Sequence, residues 1–237
     1  LDGGEGDKLE SDVVSRADAP SGHPKILIYI TTHMSKSHEE FLEFCWPKYL
    51  AKLPLFQYAD FCFFSAEWFD LSRFPSFRKD SSLRLYDNTG YQDGAMLAMK
   101  RATRRGWFKN YDWIVRVNPD VLIRNDTWLL ETMADDSIDA ILVNCGQLQG
   151  IAINTDFFAY RPKAMPNNAW EEMIHDNNEQ TAGKYFKSIV EGKRVAWLPD
   201  VDDLAILENR LKTGCRVHGE ESPVIHDHSV LEQCKEE

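Results

Sequence analysis

The chain has 237 residues, 43% of them hydrophobic, with 13 Phe and 7 Trp, enough apolar mass for one large domain or two small ones. A net charge of −11 argues against a nucleic-acid partner, since unspecific binding draws its affinity from counterions released by clustered Lys and Arg. No stretch approaches the roughly 20 apolar residues of a membrane span.

Residues 1–22 are rich in Gly, Asp and Ser without periodicity, and read as a flexible stem or linker ahead of a folded domain over 23–237. Residues 25–32 (Lys-Ile-Leu-Ile-Tyr-Ile-Thr-Thr) form the continuous apolar and β-branched run of a strand buried on both faces. Ser37 and Glu40 then have capping-box spacing and open a helix with Phe41, Phe44, Cys45 and Tyr49 inward, kinked at Pro47. Residues 60–64 give a second buried strand and 83–86 a short third one. Residues 91–105 are helical by period, with Tyr91, Ala95, Ala98 and Ala102 three or four apart. Lys100, Arg101, Arg104 and Arg105 form a solvated face of that helix, with phosphate binding a secondary reading.

Further elements are a strand over 113–118, a helix over 128–133, a strand over 140–144 and a short strand over 151–153. A helix over 170–191, interrupted by the polar run 175–180, precedes a last strand at 195–198. Strands alternating with helices define an α/β domain with a mixed, mostly parallel central sheet. There is no internal repeat and no Gly-rich phosphate loop.

The most pointed local feature is Asn118-Pro119-Asp120. Proline cannot donate to a sheet ladder, so the 113–118 strand ends there and sets a carboxylate on its carboxyl edge. Open α/β sheets bind ligands at that edge. Near the C-terminus, Pro223-Val224-Ile225 leads into His226-Asp227-His228. Residues i and i+2 of an extended chain point the same way, so both histidines can face one site. The simpler alternative has one ligand, His226 directly after the apolar pair, and one surface histidine; His218 reads as a loop or structural residue. The five cysteines show no zinc spacing. Cys45 and Cys62 suit free buried thiols, and a Cys215–Cys234 bridge would staple the C-terminus. Asn125-Asp126-Thr127 is a glycosylation sequon or a helix cap.

Taken in order, the first buried strand, the 111–123 segment with Asn-Pro-Asp, Ile153-Asn154-Thr155-Asp156-Phe157-Phe158-Ala159-Tyr160-Arg161-Pro162, Asn178-Glu179-Gln180 and the late His-Asp-His resemble a GT-A-fold glycosyltransferase of the eukaryotic secretory-pathway type. The resemblance spans about residues 25 to 230 and assigns no family within the superfamily. It implies a single GT-A-like (Rossmann-like) domain that takes a nucleotide-diphospho-sugar donor and moves its sugar to a hydroxyl on a glycan or protein acceptor. It also implies the Golgi lumen, with a membrane anchor ahead of the stem. Such enzymes neutralise the pyrophosphate with Mn²⁺ or Mg²⁺ on an Asp-x-Asp motif. Here Asn118 replaces the first Asp, which implies weaker metal binding, with Asp120 on the ion and Asn118 facing the ribose or an ion-bound water. The resemblance also implies a late histidine as a further metal ligand, the place of His226 or of His228.

The resemblance further places Thr31, Thr32 and Asp93 on the nucleotide or donor sugar. Asp156 would accept from sugar hydroxyls with Arg161 as its counter-ion, and Glu179 would serve as general base towards the acceptor. Each has a plainer reading: a strand end, a helix start, a turn cap and a surface glutamate. Two other functions compete. One is a non-catalytic carbohydrate-binding domain on a degenerate scaffold, invited by Asn118. The other is a metal hydrolase using Asp120, His226 and His228.

Overall fold

Strand β1 (Ile26–Thr32) is buried along its whole length, as a β-branched run with no polar alternation must be. The computed structural model describes residues 23–65, 67–77, 81–85, 91–143, 153–165, 178–198 and 222–236, with backbone only at 85, 91–93, 178 and 179. On one side β1 pairs in parallel with β2 (Asp60–Ser65), which carries β3 (Ser82–Leu85) in parallel at its outer edge. On the other it pairs in parallel with β4 (Trp113–Val117).

Beyond β4 the sheet continues through β6 (Ala140–Leu142), β7 (Phe157–Tyr160) and β8 (Val195–Trp197), in the overall order β3-β2-β1-β4-β7-β6-β8. Strand β7 runs against both its neighbours, while β6 and β8 pair in parallel. The sheet is therefore mixed and mostly parallel, as the sequence pattern implies. The segment 157–160, without strand alternation of its own, is the one reversed strand. Of the expected 151–153 strand, only Ile153 lies among the described residues.

Alternation along β1 and β4 divides the core in two. Ile26, Ile28, Ile30, Trp113, Val115 and Val117 pack with Phe41, Trp46 and Leu129 on one face. Leu27, Tyr29 and Ile114 pack with Met96, Phe158 and Phe186 on the other. The first face is covered by α1 (Lys36–Glu40), a π-helical turn over Phe41–Cys45, α2 (Trp46–Leu50), α3 (Pro54–Tyr58) and α5 (Thr127–Ala134). The second lies under α4 (Tyr91–Arg104) and α6 (Asn178–Glu191).

One local expectation changes and two gain detail. The first helix is capped by Ser35, whose side chain accepts from the His38 N–H, so the capping residue is two positions earlier than Ser37. Pro47 sits in the first turn of α2, where its missing N–H costs little, just past the π turn where the ladder shifts register. Asp126 holds the N-cap position of α5, but its side chain serves another segment: it is buried and its Oδ2 accepts from the Leu55 N–H at 2.6 Å. Asn125 is exposed.

Cysteine pairing also differs from expectation. Cys45 is not a free thiol; it bridges to Cys234 on α7 (Val230–Glu236), 189 residues away. Cys62 is the free buried thiol among the described cysteines, and Cys145 and Cys215 lie outside the described residues. The bridge clamps the C-terminal helix to the π turn. Lys235 reinforces it by reaching Glu40 at 3.1 Å. No helix among the described residues is long and apolar enough to cross a membrane.

Candidate metal centre

The main sheet loses β4 at Val117 because Pro119 has no N–H to give. The turn that follows is held from outside. The Trp46 indole N–H donates to the Pro119 carbonyl at 2.7 Å, and the Asn118 N–H donates to the Asp156 carbonyl at 2.9 Å. The chain then forms β5 (Leu122–Ile123), which leaves the main sheet and pairs antiparallel with β9 (Val224–Ile225). Residues 121–123 do resume burial, but in this separate ribbon. Its register sets Leu122 opposite Ile225, so Asp120 and the residues just past Ile225 meet at the same end.

That pairing explains how residues 106 and 108 positions apart converge. Asp120 Oδ2 lies 3.3 Å from His226 Nε2 and 3.0 Å from His228 Nε2. Ligand atoms of all three lie within 4.8 Å of one another. Both late histidines face the carboxylate, as the i, i+2 spacing allows, and the Phe41 ring meets the His228 ring edge-on at 5.8 Å between centroids. Asp120 is buried, and its Oδ1 has no hydrogen-bond partner. A buried carboxylate oxygen left without a donor is costly unless something else supplies the positive charge.

A third imidazole, which the sequence reading missed, completes the surround. His38, buried on α1, holds its Nε2 3.7 Å from Asp120 Oδ2 and its Nδ1 2.9 Å from Thr32 Oγ1. The Met34 N–H donates to the same Thr32 oxygen at 2.9 Å. The His33 ring meets that of His38 at a tilt, 4.5 Å between ring centroids. Burial lowers the His33 pKa, and the neighbouring His38 lowers it further. Only a helix-face reading keyed to β1 could have found His38, because its partner is 82 residues further along the chain.

Burial alone would push the Asp120 carboxyl up, but hydrogen bonds and charge from His226 and His38 prevail and hold it well below the usual carboxylate range. Burial would likewise depress His226, yet its contacts with Asp120 and Asp156 raise it to about 9. His226 Nδ1 lies 3.2 Å from Asp156 Oδ2, an ion-pair contact too oblique for a straight hydrogen bond.

The remaining sequence candidates fall as follows. Thr31 is buried at the end of β1, where its Oγ1 accepts from Arg116 at 2.6 Å. Thr32 is turned to His38. Both hydroxyls therefore position other side chains. The Asn118 amide is committed too, with Oδ1 accepting from Arg116 at 2.7 Å and Nδ2 donating to Asp156 Oδ1 at 2.6 Å.

Arg161 is not the counter-ion of Asp156. Strand β7 separates them, at about 3.4 Å per residue, and Arg161 instead donates to the Met133, Asp135 and Ile138 carbonyls over the Trp113 ring. Asp93 and Glu179 fall in the first turns of α4 and α6. Each helix returns the chain to the start of a parallel strand, so each begins on the carboxyl edge of the sheet, the side where Asp120 lies. The side chains of Asp93 and Glu179 lie outside the described residues, as does His218. The Arg101 and Arg104 face closes α4 at the opposite edge.

The donor set fits a divalent cation: one anionic oxygen, two imidazole nitrogens, and a buried second oxygen awaiting charge. No protein-family model matches this sequence, and no curated protein matches it either. Solved structures do resemble its fold. Mouse xyloside xylosyltransferase 1, in its apo form, aligns with a TM-score of 0.54 at 9% identity, over 86% of this chain and 97% of that one. A mannosyltransferase from Pyrobaculum calidifontis in complex with GDP-Man and Mn²⁺ aligns at 0.47 and 14% identity, covering 78% of this chain and 57% of that one. A glycosyltransferase involved in glycosylation of the major capsid of PBCV-1 aligns at 0.47 and 12% identity, over 90% of this chain and 100% of that one. At such identities the likeness speaks for the fold. The fold is GT-A-like.

Proposed function

We propose that this protein is a glycosyltransferase that moves a sugar from a nucleotide-diphospho-sugar to a hydroxyl on a glycan or protein, assisted by a divalent metal. One observation carries the reading. Asp120, His226 and His228 converge at the carboxyl edge of a GT-A-like sheet, with the buried Asp120 Oδ1 unpartnered. In this reading Asp120 and the two histidines hold Mn²⁺ or Mg²⁺. The two imidazoles favour Mn²⁺, since Mg²⁺ prefers oxygen. When bound, the ion supplies Lewis-acid neutralisation of the pyrophosphate charge.

The chain's own residues do the rest. His38 and Thr32 fix the Asp120 carboxylate, and Trp46 holds the turn that presents it. Thr31 and Arg116 order the floor beneath the donor. Asp93 stays the candidate for the donor side and Glu179 for the base at the acceptor hydroxyl, both on helix starts at this edge. The Cys45–Cys234 bridge supports a secretory, Golgi-lumen setting, where disulfides persist.

The same three ligands would serve a metal hydrolase, and one set of measurements separates the readings. Calorimetry with nucleoside diphosphates, with and without Mn²⁺, is expected to show nucleotide binding that needs the metal and disappears in Asp120→Ala. Binding of sugars without any metal-linked nucleotide signal would favour the carbohydrate-binding alternative. Release of free sugar as fast with no acceptor as with one would favour the hydrolase.

A further inference from the structure

Asn118 stands where an Asp-x-Asp motif has its first carboxylate, and its surroundings explain why an amide is there. On one side is a donor, the buried Arg116 guanidinium at 2.7 Å; on the other is an acceptor, Asp156 Oδ1 at 2.6 Å. An amide accepts at one end and donates at the other, so these two neighbours also fix which end is oxygen. A carboxylate at 118 would satisfy Arg116 but confront Asp156 with a second negative oxygen and no proton between them.

Asp156 is fixed from behind as well. Buried Asn154 accepts through Oδ1 from the N–H groups of Asp156 and Phe157, at 2.8 and 3.0 Å. With its Oδ1 taken by Asn118, Asp156 presents Oδ2 to His226 Nδ1 at 3.2 Å. Through its charge, a carboxylate this close to Nδ1 favours the ring proton there, even without a straight hydrogen bond, and leaves the Nε2 lone pair for an ion. Carboxylates commonly hold metal-ligating histidines in this way. His226 Nε2 is the atom that faces Asp120.

We propose that Asn118 and Asp156 are positioning residues. The Arg116 guanidinium, Asn118 amide, Asp156 carboxylate and His226 ring form one line that sets the tautomer and orientation of His226 for a divalent cation. The supporting carboxylate of the site thus sits at position 156 instead of 118. This deepens, and rests on, the metal-assisted reading above. It carries a counterintuitive consequence: restoring the Asp-x-Asp pattern weakens the site.

The test is Mn²⁺ calorimetry on the full chain, with circular dichroism and melting of each metal-free variant to check folding. Asn118→Asp and Asp156→Asn are each expected to weaken Mn²⁺ binding about 10-fold or more, the range seen when a ligand's supporting partner is lost. The exchange N118D/D156N is expected to bind more tightly than N118D alone, because an amide at 156 donates to the new carboxylate and still turns an oxygen towards His226 Nδ1. Adding Asp156→Asn to His226→Ala is expected to cost nothing further, since Asp156 acts through that ring. A residue that merely supported the fold would show neither the rescue nor the missing second loss.

The proposal is overturned if N118D binds Mn²⁺ as well as the parent, if the exchange is no better than N118D, or if D156N weakens His226→Ala by its full single-variant factor. Should N118D not fold, the exchange, which conserves total charge, and the His226 pair decide the matter. Asp120→Ala separates the two levels: parental Mn²⁺ affinity in that variant removes the metal reading itself, whatever the other variants do.

Discussion

The two ends of β4 each bury a charge, and they treat it in opposite ways. At the amino end the Arg161 guanidinium lies 4.7 Å from the Trp113 ring centroid and donates to three backbone carbonyls, those of Met133, Asp135 and Ile138. Its capacity is spent on the protein. At the carboxyl end Asp120 has three imidazoles gathered about one oxygen and nothing on the other. A saturated buried charge is spent on the fold, whereas one with an oxygen to spare keeps capacity for a ligand. The same strand is thus a structural anchor at one end and a site at the other.

The largest effect expected from breaking this contrast is Asp120→Ala. Mn²⁺ and metal-linked nucleotide binding should fall more than 100-fold by calorimetry, and the metal-free melting temperature should fall as well, because the variant strips the His226 and His38 rings of the carboxylate they face. Next comes the bridge. The metal end depends on a distant segment, β9 and the loop into α7, whereas the Arg161 end is built from neighbouring turns. Cys45→Ser is expected to cost about 2–5 kcal/mol in denaturant unfolding, as loss of a bridge closing so long a loop does. It should also weaken Mn²⁺ binding in protein that remains folded. Equal Mn²⁺ affinity in folded Cys45→Ser and parent protein would show that the bridge does not hold the histidines. Arg161→Met should show the converse, about 3 kcal/mol less stability from the stranded carbonyls with Mn²⁺ affinity intact. Loss of metal affinity in that variant would dissolve the distinction between the ends.

The same contrast sorts what could be read from sequence. The carboxyl-edge aspartate was legible because Pro119 must end a strand, and both histidines because extended residues two apart share a direction. The strands around β1 were legible in their apolar runs, though not their order in the sheet. Other features were hidden because the partner that defines them is remote. Nothing local in Phe157–Tyr160 says that it runs antiparallel, or that the strand so formed carries Arg161 away from Asp156. His38 looks like a helix-surface residue until β1 and the Asn-Pro-Asp turn close over it. The cysteine pairing is a matter of three-dimensional approach, and spacing alone suggested the wrong partner for Cys234. Arg116 interrupts the apolar run of a buried strand, and a charge at such a place requires a partner, which is the signal in the sequence for the network around Asn118.

The smallest effect is the pH dependence, and it sharpens the contrast without mutation. In the metal-free protein His226 is raised from 6.5 to about 9 by its carboxylate neighbours, so its stabilising contribution is complete below about 6.5 and is lost as pH rises through 9. Asp120 is shifted the other way, so its contribution is present above its ordinary value of 3.8 and fades only under stronger acid. Metal-free stability should therefore decline from pH 6.5 to pH 9. Metal binding runs in the opposite sense, because an ion takes the Nε2 lone pair and must displace the second ring proton of His226. Mn²⁺ affinity should rise about 10-fold per pH unit across the lower part of that window and level off near 9, with close to one proton released per ion in buffers of different ionisation heat. The two trends cross only if the group that stabilises the empty site by holding a proton is the one that binds the metal. In His226→Ala both slopes should flatten together. A parental slope in either measurement would place the titrating group elsewhere.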